Sequence, residues 1–288
     1  MPSRFLRSLA LFFAVLLLTP SSFGQIDTTA TIVGWNLKGF GAIPDSRLPN
    51  LARVIADVDT EVIALAEVNP DDVVDRLILE LSKLGACYQG KVVDQSAVQN
   101  LAILYKTGAV TNVTLLDASD DGNSGLRKAL TADVRVGLFD FKLIALHLKS
   151  GRGSAERQTR SRQAAVIRSF IELATGAAEK DVLIVGDYNM IPGQDHQNFT
   201  DMNPAGFVRF VSSAELVGQF SHIGSGGTPG NLLDGYAVSA GHTREYIEKS
   251  LRIIRADQVS GLTLAQFDAE VSDHLPVVAR FRASLDDD

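Results

Sequence analysis

The segment DVLIVGDYNM, Asp181 to Met190, drives four apolar residues into Gly186 and then presents Asp187 and Asn189 two positions apart. The arrangement recurs. Asn36 ends TIVGWNL, Glu67 stands in VIALAEV, His147 in LIALHLKSG and Asp234 in NLLDGYAVS, while Asp273 and His274 come just before LPVVARF. Burying one carboxylate without a partner is costly. Several gathered at strand ends need something to neutralise them, and carboxylate and amide oxygens suit hard divalent cations such as Mg²⁺ or Mn²⁺. Two histidines add groups that exchange protons near neutral pH. Taken singly, a strand-end Asp or Asn is a cap or turn former, and a lone His is a hydrogen-bonded core residue. The order and number of the set carry the reading.

The elements that would position these groups are short, β-branched and bounded by turn residues. Strands are expected at Thr31–Leu37, Glu61–Val68, Leu101–Tyr105, Val110–Leu116, Leu130–Val136, Phe139–Leu148, Asp181–Val185, Leu232–Ser239 and Leu275–Phe281. Helices are expected at Arg47–Val58, where Leu48, Leu51, Val54 and Ile55 keep helical spacing, at Pro70–Leu84, and at Ala155–Thr175 with its charged first half. Strands outnumber helices and several are consecutive. That predicts an α+β layered fold with mixed or antiparallel sheets rather than strict βαβ alternation. If the strand through Val185 continues, Asp187 and Asn189 point the same way, because side chains alternate along it.

Composition bounds the function. With 45% hydrophobic residues in 288, the chain can build one large core. Arg4 and Arg7, the apolar run Leu9–Leu18, Pro20, and the small residues Ser22 and Gly24 read as an export signal over 1–24, cut before Gln25. The run is short for a bilayer span, so no stable membrane anchor is expected, and residues 25–288 are expected to form a single monomeric domain, secreted or periplasmic. Formal charge is −7, and −9 once the leader's two arginines are gone. Such a protein gains little non-specific attraction for nucleic acid, although a metal can still hold a phosphate. Cys87 is the sole cysteine, which rules out an internal disulfide, and it is expected in the core. GSGGTPGN at 224–231 lacks the lysine of a P-loop and reads as a mobile loop.

The motifs WNL, AEV, ALHLKSG, GDYNM, LLDGYAVS and SDHLPV, in that order from Asn36 to His274, resemble those of the endonuclease/exonuclease/phosphatase superfamily. The superfamily includes pancreatic-type deoxyribonuclease, abasic-site repair nucleases, neutral sphingomyelinases and inositol polyphosphate 5-phosphatases. The resemblance implies a four-layer α/β sandwich, two packed mixed β-sheets flanked by helices, and metal-dependent hydrolysis of phosphoesters. It implies Glu67 as principal metal ligand, Asp273 assisting, and Asn36 close to metal and phosphate. It gives Asp187 as acceptor of the attacking water's proton, with His274 as its rival for that role, and Asn189 as orienting the water or phosphate. His274 would contact the scissile phosphate, held by Asp234, and His147 would lie across it, able to serve the leaving group. The ion is expected to be Mg²⁺ or Mn²⁺, with Ca²⁺ a structural option.

Arg127, in GLRKALTADV, precedes a strand as a phosphate-contacting arginine does in the deoxyribonuclease-like branch, and is otherwise a surface cation. Lys149 and Arg152, in the basic loop HLKSGRG, are further phosphate-binding candidates. Arg157, Arg160, Arg162 and Arg168 either steer a polyanion or form a solvated helix face. One departure stands out. Where that branch pairs the first histidine with an acid, SAVQNLAILYK has Gln99 and Asn100; Gln99 can orient His147 by a hydrogen bond but supplies no charge, which counts against an acid role for His147 and against duplex DNA. The leading expectation is an exported, metal-dependent phosphodiesterase acting as a nuclease on DNA or RNA. The alternatives are a phosphatase or sphingomyelinase-like lipid hydrolase and, in a different class, a silent binding scaffold. Trp35, inside a core strand, leaves no aromatic hairpin for lipid.

Overall fold

The computed structural model describes residues 28–39, 41–93, 99–115 and 125–286, so the expected leader over 1–24 lies outside the described residues. Numbered along the chain, the strands are β1 Thr29–Asn36, β2 Val62–Val68, β3 Tyr88–Val93, β4 Asn100–Lys106, β5 Val110–Leu115, β6 Leu130–Val136, β7 Phe139–His147, β8 Val182–Asp187, β9 Val208–Arg209, β10 Ile223–Gly224, β11 Thr228–Pro229, β12 Asp234–Ser239, β13 Arg252–Ile253 and β14 Val277–Arg282. The helices are α1 Leu48–Val58, α2 Val73–Lys83, α3 Ser154–Thr175, α4 His196–Met202, α5 Ser212–Glu215, α6 Ala256–Val259 and α7 Leu264–Glu270.

Two six-stranded sheets form, in the orders β13-β14-β1-β2-β4-β3 and β5-β6-β7-β8-β12-β9. Each is mixed: β1–β2 and β7–β8 are parallel, and the other pairings are antiparallel. Alternate residues of β1 separate the layers. Ala30 and Ile32 join Val62, Leu143, Val185, Tyr236 and Phe281 between the sheets. Val33 and Trp35 join Leu51 and Ile55 of α1 and Leu77 and Leu81 of α2 on the outer face. Behind the second sheet, Ile144, Leu146 and Ile184 pack on Ala164, Ile167 and Ile171 of α3 and Met202 of α4. Both faces of the central strands are therefore covered, which is why they read as near-continuous apolar runs. The result is the expected helix–sheet–sheet–helix sandwich.

Three expectations fail locally. Cys87 is exposed rather than in the core; it sits in the turn leading into β3, an edge strand that is only partly buried and was not predicted. The segment expected as a mobile loop at 224–231 contributes to the ribbon β10–β11, with Gly227 against Ala265: a Cβ at 227 would lie 2.5 Å from the Ala265 nitrogen. Finally, β8 does not continue to Asn189. The Asp187 carboxylate accepts a hydrogen bond from the Asn189 backbone at 2.9 Å, and Asn189 turns to φ 50. This local side-chain bond ends the strand, so the two residues do not align by alternation.

Candidate active site

Sheet register places the first three groups. β7 and β8 run parallel with His147 opposite Asp187, and β12 runs antiparallel to β8 with Asp234 opposite Asp187. His147, Asp187 and Asp234 thus share one rung at the end of the second sheet. Gly186 makes that rung possible. Its φ is 136, and a Cβ there would lie 2.1 Å from the Leu146 carbonyl. The first sheet supplies Asn36 at the end of β1 and Glu67 near the end of β2. Glu67 adopts φ 57 beside a break in the β2–β4 register.

The sheets meet through Asn36, whose Nδ2 donates to Glu67 Oε1 at 3.2 Å and to Asp187 Oδ2 at 3.1 Å. His147 Nε2 lies 3.5 Å from each of those two oxygens. His274 bonds Asp234 Oδ2 through Nδ1 at 2.7 Å, and its Nε2 lies 3.9 Å from Asp187 Oδ2. Arg127 Nη2 lies 3.1 Å from His147 Nε2 and donates to the Leu148 carbonyl at 3.2 Å. Asn189 Nδ2 donates to that same carbonyl at 3.2 Å. Asp273, half-buried, is close enough to Glu67 to oppose its ionisation. The expected residues Asn36, Glu67, Arg127, His147, Asp187, Asn189, Asp234, Asp273 and His274 are therefore brought to one rim.

The electrostatics of this rim are acid-rich. Burial, followed by the neighbouring Asp234, pushes the Asp187 carboxyl up to about 7. Burial also raises Glu67. His274 goes the other way: burial opposes its charge, but Asp234, Asp187 and Asp273 overcome that and raise it to about 10. His147 is held well below its ordinary value by burial, then by Arg127 and His274, so it is neutral. A guanidinium only donates, so His147 Nε2 accepts from Arg127 and the ring proton resides on Nδ1. That nitrogen is buried without a hydrogen-bond partner among the described residues. The expected Gln99–His147 bond does not form, although Gln99 is buried. The half-buried Glu67 carboxylate and the buried carboxylates of Asp187 and Asp234, with few cationic partners, fit a hard divalent cation.

Lys149 and Arg152 fare differently. Arg152 faces away to Asp195, at 3.1 Å, and to the Asn189 carbonyl, at 2.5 Å. Its guanidinium is engaged by the Asp195 carboxylate and the Asn189 carbonyl. Arg157 and Arg160 bond the same carboxylate at 3.1 and 3.2 Å. Arg160, expected to be solvated or steering, is fully buried. It donates to the Lys149 and Gly151 carbonyls at 2.9 and 2.8 Å. HLKSGRG is thus fastened by its backbone carbonyls to α3. Lys149 is half-buried next to the rim, and its backbone N–H donates to Gln163 Oε1 at 2.9 Å.

Five residues escaped sequence reasoning. Ser272 accepts from the His274 backbone at 3.0 Å and donates to the Asn36 carbonyl at 2.7 Å. Trp35 Nε1 donates to the His274 carbonyl at 2.8 Å. Arg47 bonds the Leu37, Lys38 and Val271 carbonyls at 2.6, 3.2 and 3.1 Å, tying the loop after Asn36 to the one before Asp273. Gln163 of α3 holds the Arg127 carbonyl at 3.3 Å. His222 sets its ring against that of His274, centroids 4.9 Å apart at 67°. Only Ser272, inside SDHLPV, and Trp35, inside WNL, carried a local signal.

Comparison with known proteins places the fold and the family. The family model of the Endonuclease/Exonuclease/phosphatase family matches residues 33–234. No curated protein matches the chain. Among solved structures, Danio rerio TDP2 complexed with single-strand DNA product superposes with TM-score 0.65 at 18% identity, covering 88% of this chain and 99% of that one. The human Nocturnin catalytic domain with bound sulfate gives 0.60 at 15% identity, over 88% and 94%. A mannosyl-6-phosphatase of Bacteroides thetaiotaomicron gives 0.60 at 18%, over 87% and 98%. At these identities the structures establish the fold, while the family model, matched over most of the chain, establishes kinship: the chain belongs to the Endonuclease/Exonuclease/phosphatase family and is one of its phosphoester hydrolases.

Proposed function

We propose that the protein is an exported, divalent-metal-dependent phosphodiesterase. The observation behind this reading is the meeting of Asn36, Glu67 and Asp187 across two sheets, with His147, His274 and Arg127 around them. Glu67, with Asp273 and Asn36, would hold Mg²⁺ or Mn²⁺; Ca²⁺ would be a structural alternative. When bound, the ion supplies positive charge to the phosphate and its transition state. The leader at 1–24 supplies the export.

The chain's own groups divide the remaining work. Asp187, held near 7 by burial and Asp234, accepts a proton from the attacking water. Its rival, His274, is kept protonated by Asp234 and suits a donor to the phosphate better than a base. Asn189 orients the water or the phosphate. Arg127 contributes a guanidinium to the phosphate. His147 is neutral and turned to Arg127, which makes it a support for that guanidinium rather than a proton donor to the leaving group.

Substrate is the finer question. A nuclease acting on DNA or RNA is the first reading, supported by this machinery and by Arg127. A second reading, a compact phosphoester, is favoured by the rim. Arg152, Arg157 and Arg160 are spent on Asp195, which leaves few cations to follow a polyanion. The test is hydrolysis by the purified mature chain of plasmid, single-stranded DNA, RNA, dispersed phospholipid and small phosphoesters, with Mg²⁺ or Mn²⁺ and with EDTA. Turnover that persists in EDTA, or no turnover on any of them, contradicts the proposal.

A further inference from the structure

Arg127 carries the guanidinium assigned above to the phosphate, and among the described residues no carboxylate lies within ion-pair distance of it; Asp187 and Glu67 act on it only through space. Its Nη2 meets His147 Nε2 at 3.1 Å and donates to the Leu148 carbonyl at 3.2 Å, while its Nε is buried without a hydrogen-bond partner. Packing does not fix it either. A cavity of about 10 Å³, about the room of one water, is lined by Arg127, His147, Leu148 and Gln163. The guanidinium is therefore placed by the segment 147–148, and its position depends on how the Leu148 carbonyl is aimed.

The Leu148 carbonyl and the Lys149 N–H belong to one peptide group, which is planar and points them in opposite directions. On one side the carbonyl accepts from Arg127 and, at 3.2 Å, from Asn189 Nδ2. On the other side the N–H donates to Gln163 Oε1 at 2.9 Å. Gln163 lies on α3 and is buried. The rest of its amide is also used: Nε2 donates to the Arg127 carbonyl at 3.3 Å. One side chain thus grips the main chain of Arg127 and orients the peptide that receives its guanidinium. The bonds close a ring through Arg127, Leu148, Lys149 and Gln163. Arg160, three residues earlier and so on the same side of α3, holds the next carbonyl, that of Lys149, at 2.9 Å. Among the described residues no hydrogen bond joins Gln163 to Glu67, Asp187, Asp234 or Asp273, so its action is on the phosphate contacts and not on the acid cluster.

We infer that Gln163 is a positioning residue for phosphate binding: it aims the peptide between Leu148 and Lys149, and through that peptide Arg127 and Asn189. The inference rests on the phosphoester hydrolase reading above and adds to it a residue that acts through others. Calorimetric titration of the Mn²⁺-loaded protein with inorganic phosphate tests it in wild type, Gln163→Met, Arg127→Ala and the double variant. Methionine keeps the length of the side chain and removes both hydrogen bonds. The expected result is that Gln163→Met weakens phosphate binding by about tenfold, the worth of about one well-placed hydrogen bond. In the Arg127→Ala background it weakens binding by less than about threefold, because the guanidinium it acts on is gone. Mn²⁺ affinity stays within about twofold of wild type, which a general loss of structure would not allow. If the methionine variant does not fold, Gln163→Glu, which keeps the acceptor for Lys149 and loses the donor to Arg127, is read against Arg127→Ala in the same way. Unchanged phosphate affinity, an equal loss in the two backgrounds, or a parallel loss of Mn²⁺ affinity overturns the inference while leaving the hydrolase reading in place. Phosphate affinity untouched by Arg127→Ala removes Arg127 from the phosphate and the inference with it. No phosphate binding by the Mn²⁺-loaded wild type overturns both.

Discussion

Two buried acid clusters lie within one loop of each other and are balanced in opposite ways. Around Asp195, one carboxylate receives Arg152, Arg157 and Arg160 and the Ile191 backbone N–H at 2.8 Å. Burial works against its charge, but the Ile191 bond and these arginines win, and its pKa is lowered. At the strand ends, the four carboxylates of Glu67, Asp187, Asp234 and Asp273 have Arg127, one charged imidazole and Arg47, whose guanidinium is bonded to backbone carbonyls, and Asp187 and Glu67 are raised. The first cluster is complete within the protein and fixes the loop that carries Lys149. The second is short of positive charge, as a site that takes up a cation and a phosphate must be. Acid content alone does not separate them; the ratio of partners does.

That contrast is broken most severely at Glu67. Replacing it by Gln keeps the shape and removes the charge expected to hold the ion, so kcat/KM falls by about a thousandfold or more. Activity within tenfold of wild type would remove Glu67 from the metal role. His274→Ala comes next, with a fall of about a hundredfold to ten-thousandfold, the usual worth of a positioned proton-handling group. By contrast Arg152→Ala, on the balanced cluster, leaves kcat/KM within about threefold, because its guanidinium is engaged by Asp195 and the Asn189 carbonyl rather than by the phosphate. A drop comparable to that of His274→Ala would restore Arg152 to the phosphate.

The balanced cluster answers in stability instead. Asp195→Leu leaves Arg160 buried without its carboxylate, which costs about 3 to 5 kcal/mol in urea unfolding. A loss under about 1 kcal/mol would show that the carbonyls of Lys149 and Gly151 suffice for Arg160. The remaining effect is a pH dependence. The folded value of Asp187 is raised from 3.8 to about 7. The proton it retains in the folded state stabilises the protein below its unfolded value, and that contribution is lost as pH rises through about 7. In EDTA, wild type should therefore lose up to about 4 kcal/mol relative to Asp187→Asn between about pH 4 and 8. A difference that is flat, or of the opposite sign, contradicts the buried-acid picture.

Much of this was legible in the sequence, for physical reasons. The strands that carry Asn36, Glu67, His147 and Asp234 are covered on both faces, so their apolar runs and polar ends stand out. The amphipathic spacing of Leu48, Leu51, Val54 and Ile55 fixed α1 within a residue of its start. Arg152 and Arg160 could not be read, because their partner Asp195 lies 43 and 35 residues away and nothing local announces it. Arg47 bonds Val271 across 224 residues and was equally invisible. The turn at Asn189 was misjudged because a carboxylate capturing a backbone N–H competes with strand continuation.

The central claim is that the acid-rich rim takes a divalent cation through Glu67. Calorimetric titration of the metal-free protein with Mn²⁺ at neutral pH, in wild type and Glu67→Gln, tests it most directly. The account predicts saturable binding in wild type that weakens by about a hundredfold or is lost in the variant. Equal affinity in the two proteins would contradict it.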